Sequence, residues 1–212
     1  MKKNKILVII GAGGHGLVVA DCALSIGHYS DIIFLDDCLE KLDDKSQWQV
    51  SGPIASWPNY SENADFIVAI GNNTMRASLL QQLSAKHCCI ATLIHPTAFV
   101  SQHSTIGQGV VVFANAVVNI GARIDEGCII NTAATIDHDC HIQACCHISP
   151  GVNIAGGVNV GKGSWLGIGS CVVEYITIAE NTQSGAGAVL TKSTQSNQLY
   201  VGVPALAVRS LI

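Results

Sequence analysis

From Ile94 to Leu190 the hydrophobic pattern of the chain returns every six residues. Ile94, Val100, Ile106, Val112, Val118, Ile124, Ile130, Ile136, Ile142, Ile148, Ile154, Val160, Leu166, Val172 and Ile178 follow one another at that interval. The fourth residue after each is usually small, as at Ala98, Ser104, Ala116, Ala122, Cys128, Ala134, Cys140, Cys146, Ser164, Ser170 and Ala188. A six-residue period suits neither an amphipathic helix nor an alternating strand. It suits a parallel β-helix, in which each hexad forms one flat side and one corner of a prism. The aliphatic residue fills the prism and the small one lets the wall close. Three hexads make a coil, so residue i lies against residue i+18, and five coils with a partial sixth fit the stretch. The period itself does not set the hand of the coil.

Before about residue 88 the pattern is different. KILVIIGAGGHG is an apolar run entering a glycine-rich turn, LVVADCALSIGH has helical spacing, and DIIFLDD is a second apolar run ending in two acids, together one βαβ unit. A polar connector from Cys38 to Gln49 and a proline-punctuated piece through Pro58 lead to ADFIVAIGNN, another buried strand, and then to the amphipathic helix TMRASLLQQLSAK. HCCIATLIHP carries this α/β domain, residues 1–90, into the β-helix of residues 91–212 without a long linker. At the far end TKSTQSNQ breaks the period, and LYVGVPALAVRSLI reads as the cap that a repeat array needs.

Composition narrows the partners. A net charge of −4 with 12% charged residues leaves no basic stripe for nucleic acid. No apolar run has the length of a membrane span, and the N-terminal apolar run turns to glycine too early for a signal peptide, so the expected location is cytoplasmic. Nine cysteines could suggest disulfides, yet Cys128, Cys140 and Cys146 fall in the small inward slot of the repeat, where cysteine serves as a small hydrophobe.

Three places carry candidate chemistry. Gly11, Gly13 and Gly16 match G-x-G-x-x-G between a strand and a helix, with Asp36 and Asp37 closing the next strand. Such a turn brings backbone amides and a helix N-terminus to a phosphate, although a tight packing turn has the same pattern. His15 within the turn is unusual for a dinucleotide site and favours another phosphate-bearing ligand. Gly71, Asn72 and Asn73 end a second strand, at the edge where open α/β sheets bind ligands, with Arg76 one helical turn on; the plainer reading is a helix cap and a solvated arginine. The third place is IDHDCHIQACCHISPG. A zinc site and a nucleophilic Cys–His pair both compete for it, and the period argues against both. Cys140 and Cys146 occupy inward positions, His141 and His147 face outward on different sides, and His138 occupies an outward corner, so no tetrahedral ligand set closes and no metal is expected. The outward histidines are left for acid–base work or an interface between chains. His138 stands out because Asp139 follows it and Gly156, a position with no side chain, lies 18 residues on.

The ordered set GAGGHG, FLDD, IGNNTMR, DHDCHI and CHISPGVNIAGGVNVG resembles the left-handed β-helix sugar acetyltransferases of the bacillosamine and sialic acid pathways, over nearly the whole chain. The resemblance implies an α/β N-terminal Rossmann-like domain that binds a UDP-4-amino-4,6-dideoxy sugar, followed by a left-handed parallel β-helix that trimerises and binds acetyl-CoA between neighbouring subunits. It makes His138 the general base, with Asp139 holding its imidazole. His147 would contact acetyl-CoA, the Gly156 amide would bind the developing oxyanion, and Asn131 would align the site. Gly13, Gly14 and His15 would cradle the sugar-nucleotide phosphates, with Asp36, Asp37, Gly71, Asn72 and Arg76 lining that pocket. The coils near Ile168 and Ala186 would hold the pantetheine arm. VGVPALAVR resembles the C-terminal signature of these enzymes, with Leu206 where lysine is frequent.

The resulting expectation is N-acetylation of a UDP-linked 4-amino sugar by direct transfer in a ternary complex. A sialic acid or other sugar O-acetyltransferase is the alternative, since the same base serves a hydroxyl. A non-catalytic nucleotide-sugar-binding protein is a second alternative from a different class.

Overall fold

A computed structural model describes residues 5–40, 42 and 47–212. Part of the polar connector expected between Cys38 and Gln49, namely residues 41 and 43–46, lies outside the described residues, as do residues 1–4 of the N-terminal run. The chain divides into two compact units, Met1–Leu93 and Ile94–Ile212.

The first unit is a parallel sheet with helical connections. Strands β1 (Ile6–Ile10), β2 (Asp31–Leu35), β3 (Ala64–Val68) and β4 (Cys89–Ile90) lie in the order β2-β1-β3-β4. All pair parallel, with Ile10 opposite both Leu35 and Val68. Every residue of β3 and four of the five in β1 are buried, as the unbroken apolar runs ILVII and ADFIV require of strands covered on both faces. Helix α1 (Gly14–Ile26) follows β1, and α2 (Asn73–Ala85) follows β3. Gly27 ends α1 in the left-handed region at φ 67°, its amide donating to Ala23 and Leu24. The proline-punctuated segment, for which the sequence pattern offers no regular element, forms a 3-10 helix over Ile54–Tyr60 that buries Trp57 edge-on against Phe66.

The second unit is a parallel β-helix with three flat faces. The first face stacks Val111–Val112, Ile129–Ile130, His147–Ile148, Trp165–Leu166 and Gln183–Ser184 on the boundary strand Leu93–Ile94. The second stacks Phe99–Val100, Val117–Val118, Thr135–Ile136, Asn153–Ile154, Cys171–Val172 and Val189–Leu190; the third runs from Thr105–Ile106 through Arg123–Ile124, His141–Ile142 and Asn159–Val160 to Thr177–Ile178. Neighbouring strands pair at a spacing of 18: Arg123 faces His141, Ile129 faces His147, and Thr135 faces Asn153. The aliphatic positions from Val112 to Ile178 are all buried, and they pack with the small residues into one continuous core. The cysteine thiols in the small slots donate to carbonyls one coil on, Cys128 to Gln143, Cys140 to Ala155 and Cys146 to Gly161, at 3.1–3.2 Å. Burial raises the Cys140 thiol above its ordinary range, so it is a wall residue and no nucleophile.

The corners explain a second periodicity. From Gly109 to Gly187 the third residue after each aliphatic position turns the chain with positive φ; where it is not glycine it is Asn115, Ala133, Asp139, Cys145, Tyr175 or Asn181, with φ between 54° and 59°. Asparagine, aspartate and glycine adopt this region most readily. Consequently Asp139 is placed on a corner by its backbone, directly after His138.

The cap departs from expectation in form. Gln198–Val201 adds a parallel strand to the first face, pairing Gln183 with Leu199 and Ser184 with Tyr200. Leu206–Ser210 then returns antiparallel along it, with every residue exposed. The six-residue period ends, but the sheet continues, because two longer strands need no aliphatic repeat to pair.

Candidate active site

The second corner, between the second and third faces, carries a compact acid–base group. His138 Nδ1 is 2.9 Å from Asp139 Oδ2. With that nitrogen donating, Nε2 becomes the basic nitrogen. One coil on, the imidazole lies over Gly156, where any β-carbon would collide with Nε2. One coil back, a β-carbon at Gly121 would collide with Oδ1 of Asp139. The two glycines of this corner column therefore make room for the pair. The Asp139 hydrogen bond is the main cause that raises the His138 pKa above its ordinary value; slight burial opposes it, and the charges of Asp137 and Asp139 reinforce it. The Gly156 amide sits between the Ala155 amide, which donates to Val172, and the Gly157 amide, which donates to His138.

A separate group occupies the first face. His147 is 8% exposed; its Nε2 accepts from Asn131 Nδ2 at 3.2 Å, and its ring stacks on Trp165 at 5.2 Å between centroids and 11° between planes. Trp165 Nε1 donates to Ser149 Oγ at 2.9 Å. These residues line a groove of 450 Å³ that also takes in Ile168 and Ala186. His147 thus points away from the prism, as its position in the hexad requires, but the indole of Trp165 and the Asn131 amide cover it. His141, the other histidine expected to be available, is engaged by Asp125 at 2.8 Å, and Asp125 is bound in turn by Arg123.

In the α/β unit, the two glycine-bearing turns follow β1 and β3, adjacent strands from which the sheet order runs in opposite directions, the switch point at which such sheets take ligands. Gly13 precedes the first residue of α1. A β-carbon at Gly16 would run into the Gly11 carbonyl, whereas at Gly14 and Gly71 one would stand in open space. Asp36 is buried and braces the turn, with Oδ2 accepting from the Ala12 amide at 2.8 Å and Oδ1 from the Cys38 amide at 3.0 Å. Asp37 accepts from the Ile54 amide, and Asn72 caps α2 through the Met75 amide. Arg76 corrects the solvated reading: it is 1% exposed and its guanidinium donates to the carbonyls of Ile70 and Gly71 and to Asn73 Oδ1. Burial, aided by the Arg76 charge, holds the His15 pKa down to about 4, which keeps this imidazole neutral at physiological pH.

The candidate residues therefore fall into three groups. His138, Asp139 and Gly156 share one corner; Asn131, His147, Ile168 and Ala186 share the groove on the first face; Gly13, Gly14, His15, Asp36, Asp37, Gly71, Asn72 and Arg76 gather around the two turns of the α/β sheet. Within one chain, the second face separates the first two groups. Trp165 and Asp137 escaped the sequence reading. Both were available from the 18-residue spacing, which sets Trp165 beside His147 and Asp137 one coil above Asn119, with Asn119 Nδ2 donating to Asp137 Oδ1 at 2.9 Å. Among the described residues no group of three or more His, Cys, Asp or Glu side chains could hold a metal ion.

The chain is similar to several known proteins. The pattern described as the PglD N-terminal domain matches residues 6–83. A second pattern, protein similar to CwfJ C-terminal, matches residues 56–150, a stretch that corresponds to neither compact unit. The chain is 32% identical over 112 residues to the UDP-N-acetylbacillosamine N-acetyltransferase of Bacillus subtilis (strain 168); the match spans 52% of each protein, about half the length of that relative. The acetyltransferase domain of PglB from Neisseria gonorrhoeae FA1090, in complex with acetyl coenzyme A, superposes with a TM-score of 0.93 at 40% identity, covering 97% of this chain and 100% of that one. PerB from Caulobacter crescentus, in complex with CoA and GDP-perosamine, does so with a TM-score of 0.87 at 34% identity, covering 96% and 97%.

Proposed function

We propose that this chain, which belongs to the left-handed β-helix family of sugar N-acetyltransferases, moves the acetyl group of acetyl-CoA to the 4-amino group of a UDP-4-amino-4,6-dideoxy-N-acetyl-hexosamine. The observation that carries the reading is the His138–Asp139 pair laid over Gly156. Asp139 fixes the tautomer, so Nε2 takes a proton as the amine nitrogen attacks the thioester carbonyl. The carbon–nitrogen bond forms, the carbon–sulfur bond breaks, and the imidazolium returns the proton to the departing thiolate. The Gly156 amide is a fixed donor for the oxyanion between those events. No covalent enzyme intermediate is needed when base and donor converge on two bound substrates.

Acetyl-CoA is assigned to the first-face groove, where His147 and Asn131 supply polar contacts and Trp165, Ile168 and Ala186 an apolar wall for the pantetheine arm. The similar proteins solved in complex with acetyl-CoA or CoA support it as the cosubstrate. The switch point of the α/β sheet, with open space at Gly14 and Gly71, takes the sugar nucleotide, its phosphates against the N-terminus of α1. Because the His138 corner and the groove lie on different sides of one prism, the complete site forms between copies, the corner of one subunit meeting the first face of the next. A homotrimer meets that requirement with closed symmetry.

The test is thiol release from acetyl-CoA with UDP-4-amino-4,6-dideoxy-N-acetylglucosamine, its galacto-configured epimer and free sialic acid as acceptors. Turnover of a UDP-amino sugar that is lost in His138→Ala is expected. Turnover of sialic acid alone would move the chain to O-acetylation, and turnover of none would leave a nucleotide-sugar-binding protein.

A further inference from the structure

The second face ends at the corner that bears His138, and it holds a groove of 380 Å³ lined by Val117, Asn119, Thr135, Asp137, Asn153 and Ala155 among others. Asp137 is the polar residue of that groove adjoining the base. One of its oxygens is fully committed: Oδ1 accepts from the His138 amide at 2.7 Å and from Asn119 Nδ2 at 2.9 Å. Asn119, one coil back, thus dictates which oxygen holds the corner. The other oxygen, Oδ2, accepts no hydrogen bond from the described residues. The two hydrogen bonds also hold the Asp137 pKa below its ordinary value, so the group is an anion at neutral pH. Arg123 and Lys162, the basic residues of the coils, pair with Asp125 and Glu180, so the cationic charge that acts on Asp137 is that of His138 when protonated.

We infer that Asp137, oriented by Asn119, selects an amine over a hydroxyl at the acceptor position by taking the second N–H of the nucleophile. The inference rests on the acetyltransfer reading above, and it follows from counting donors. A neutral amine has two N–H groups and one lone pair. His138 Nε2 takes one N–H, Asp137 Oδ2 accepts the other, and the lone pair is left to face the thioester. A hydroxyl has one O–H, which the base requires, so its oxygen would turn a lone pair toward an ionised carboxylate with nothing to donate. A site built to receive a donor rejects the analogue that lacks it. The carboxylates of Asp137 and Asp139 also disfavour an acceptor that carries its own carboxylate, as sialic acid does. Asp137 is the specificity residue of this arrangement and Asn119 a positioning residue.

Asp137→Asn makes a sharp test because it changes one atom. The amide oxygen stays where the His138 amide and Asn119 demand an acceptor, so the NH2 replaces Oδ2 and presents a donor to the groove. Calorimetric titration of the full assembly, with CoA present, compares the UDP-4-amino sugar with the same sugar bearing a hydroxyl at C4. The wild type is expected to prefer the amino ligand by on the order of tenfold or more. Asp137→Asn should reverse the preference, gaining affinity for the hydroxyl ligand, and Asn119→Ala should narrow it. Equal weakening of both ligands in Asp137→Asn, an unchanged preference, or a wild type without preference would overturn the assignment. Thiol release measured on the same preparations separates the two readings: a wild type that prefers the amine but never acetylates it sinks the acetyltransfer reading alone.

Discussion

The chemistry of single residues here is set by what lies one coil away. His138 is adjacent to Asp139 in sequence, but its ring position depends on Gly156 and its partner's position on Gly121. Since the Asp139 hydrogen bond raises the His138 pKa, this imidazole becomes neutral at a higher pH than it ordinarily would. Activity should therefore rise with pH later than for a free imidazole. Asp139→Asn removes the main cause, and we expect the rising limb of kcat/KM against pH to move toward acid while its plateau falls; a limb that stays in place would refute the role given to Asp139. His15 behaves in the opposite sense. Its pKa drops from 6.5 in the unfolded chain to about 4, so protons favour unfolding between those values. The stability that the neutral ring secures, at most on the order of 3 kcal/mol, is present above pH 6.5 and is lost as pH falls toward 4. Urea melts of His15→Gln should show a flatter dependence on pH across that window than the wild type.

At the level of the element, the coil is a device for repeating a backbone shape while changing its decoration. Each corner needs one residue with positive φ, and at residue 139 that residue is the one that hydrogen-bonds the His138 ring. Gly121 has φ 73° and sits where Asp139 folds over it. Gly121→Ala should cost about 1 kcal/mol of stability from the backbone alone. Its larger effect should be on catalysis, because the new β-carbon displaces the carboxylate from His138; kcat should fall to near that of Asp139→Asn with the fold retained by circular dichroism. Activity equal to wild type would show that Asp139 has another way to reach the ring. The α/β unit uses its elements differently: a buried Arg76 ties α2 to the turn that precedes it, and Asp36 ties the glycine-rich turn to the end of β2. Such bracing holds the backbone of both turns in place.

For the whole molecule, the separation of the His138 corner from the His147 groove leads to a test that needs no structure of the assembly. If each site combines the corner of one subunit with the first face of another, two inactive variants can rescue one another. Coexpression of His138→Ala with His147→Ala should produce mixed assemblies in which about one quarter of the sites hold both native histidines. Specific activity near that fraction is expected, and none at all would place both groups in a single chain's site. A variant held monomeric should be nearly inactive for the same reason.

The prism was legible in the sequence because a β-helix writes its geometry into a fixed period: once six is recognised, the inward aliphatic positions, the small slots and the 18-residue stacking of Arg123 on His141 follow. The α/β unit was legible in its strands and helices because unbroken apolar runs and glycine-bearing turns are local signals, whereas the 3-10 helix around Trp57 has no periodic trace. The family, too, is carried by ordered short motifs. Partnerships were not legible. Whether Asp139 turns to the His138 ring, whether Arg76 is solvated or buried, whether His147 is open or covered by Trp165, and which oxygen of Asp137 accepts from Asn119 are decided by side-chain rotamers and by residues brought near across coils. Spacing places a residue on a face or a corner; only packing of the folded chain decides what its side chain touches.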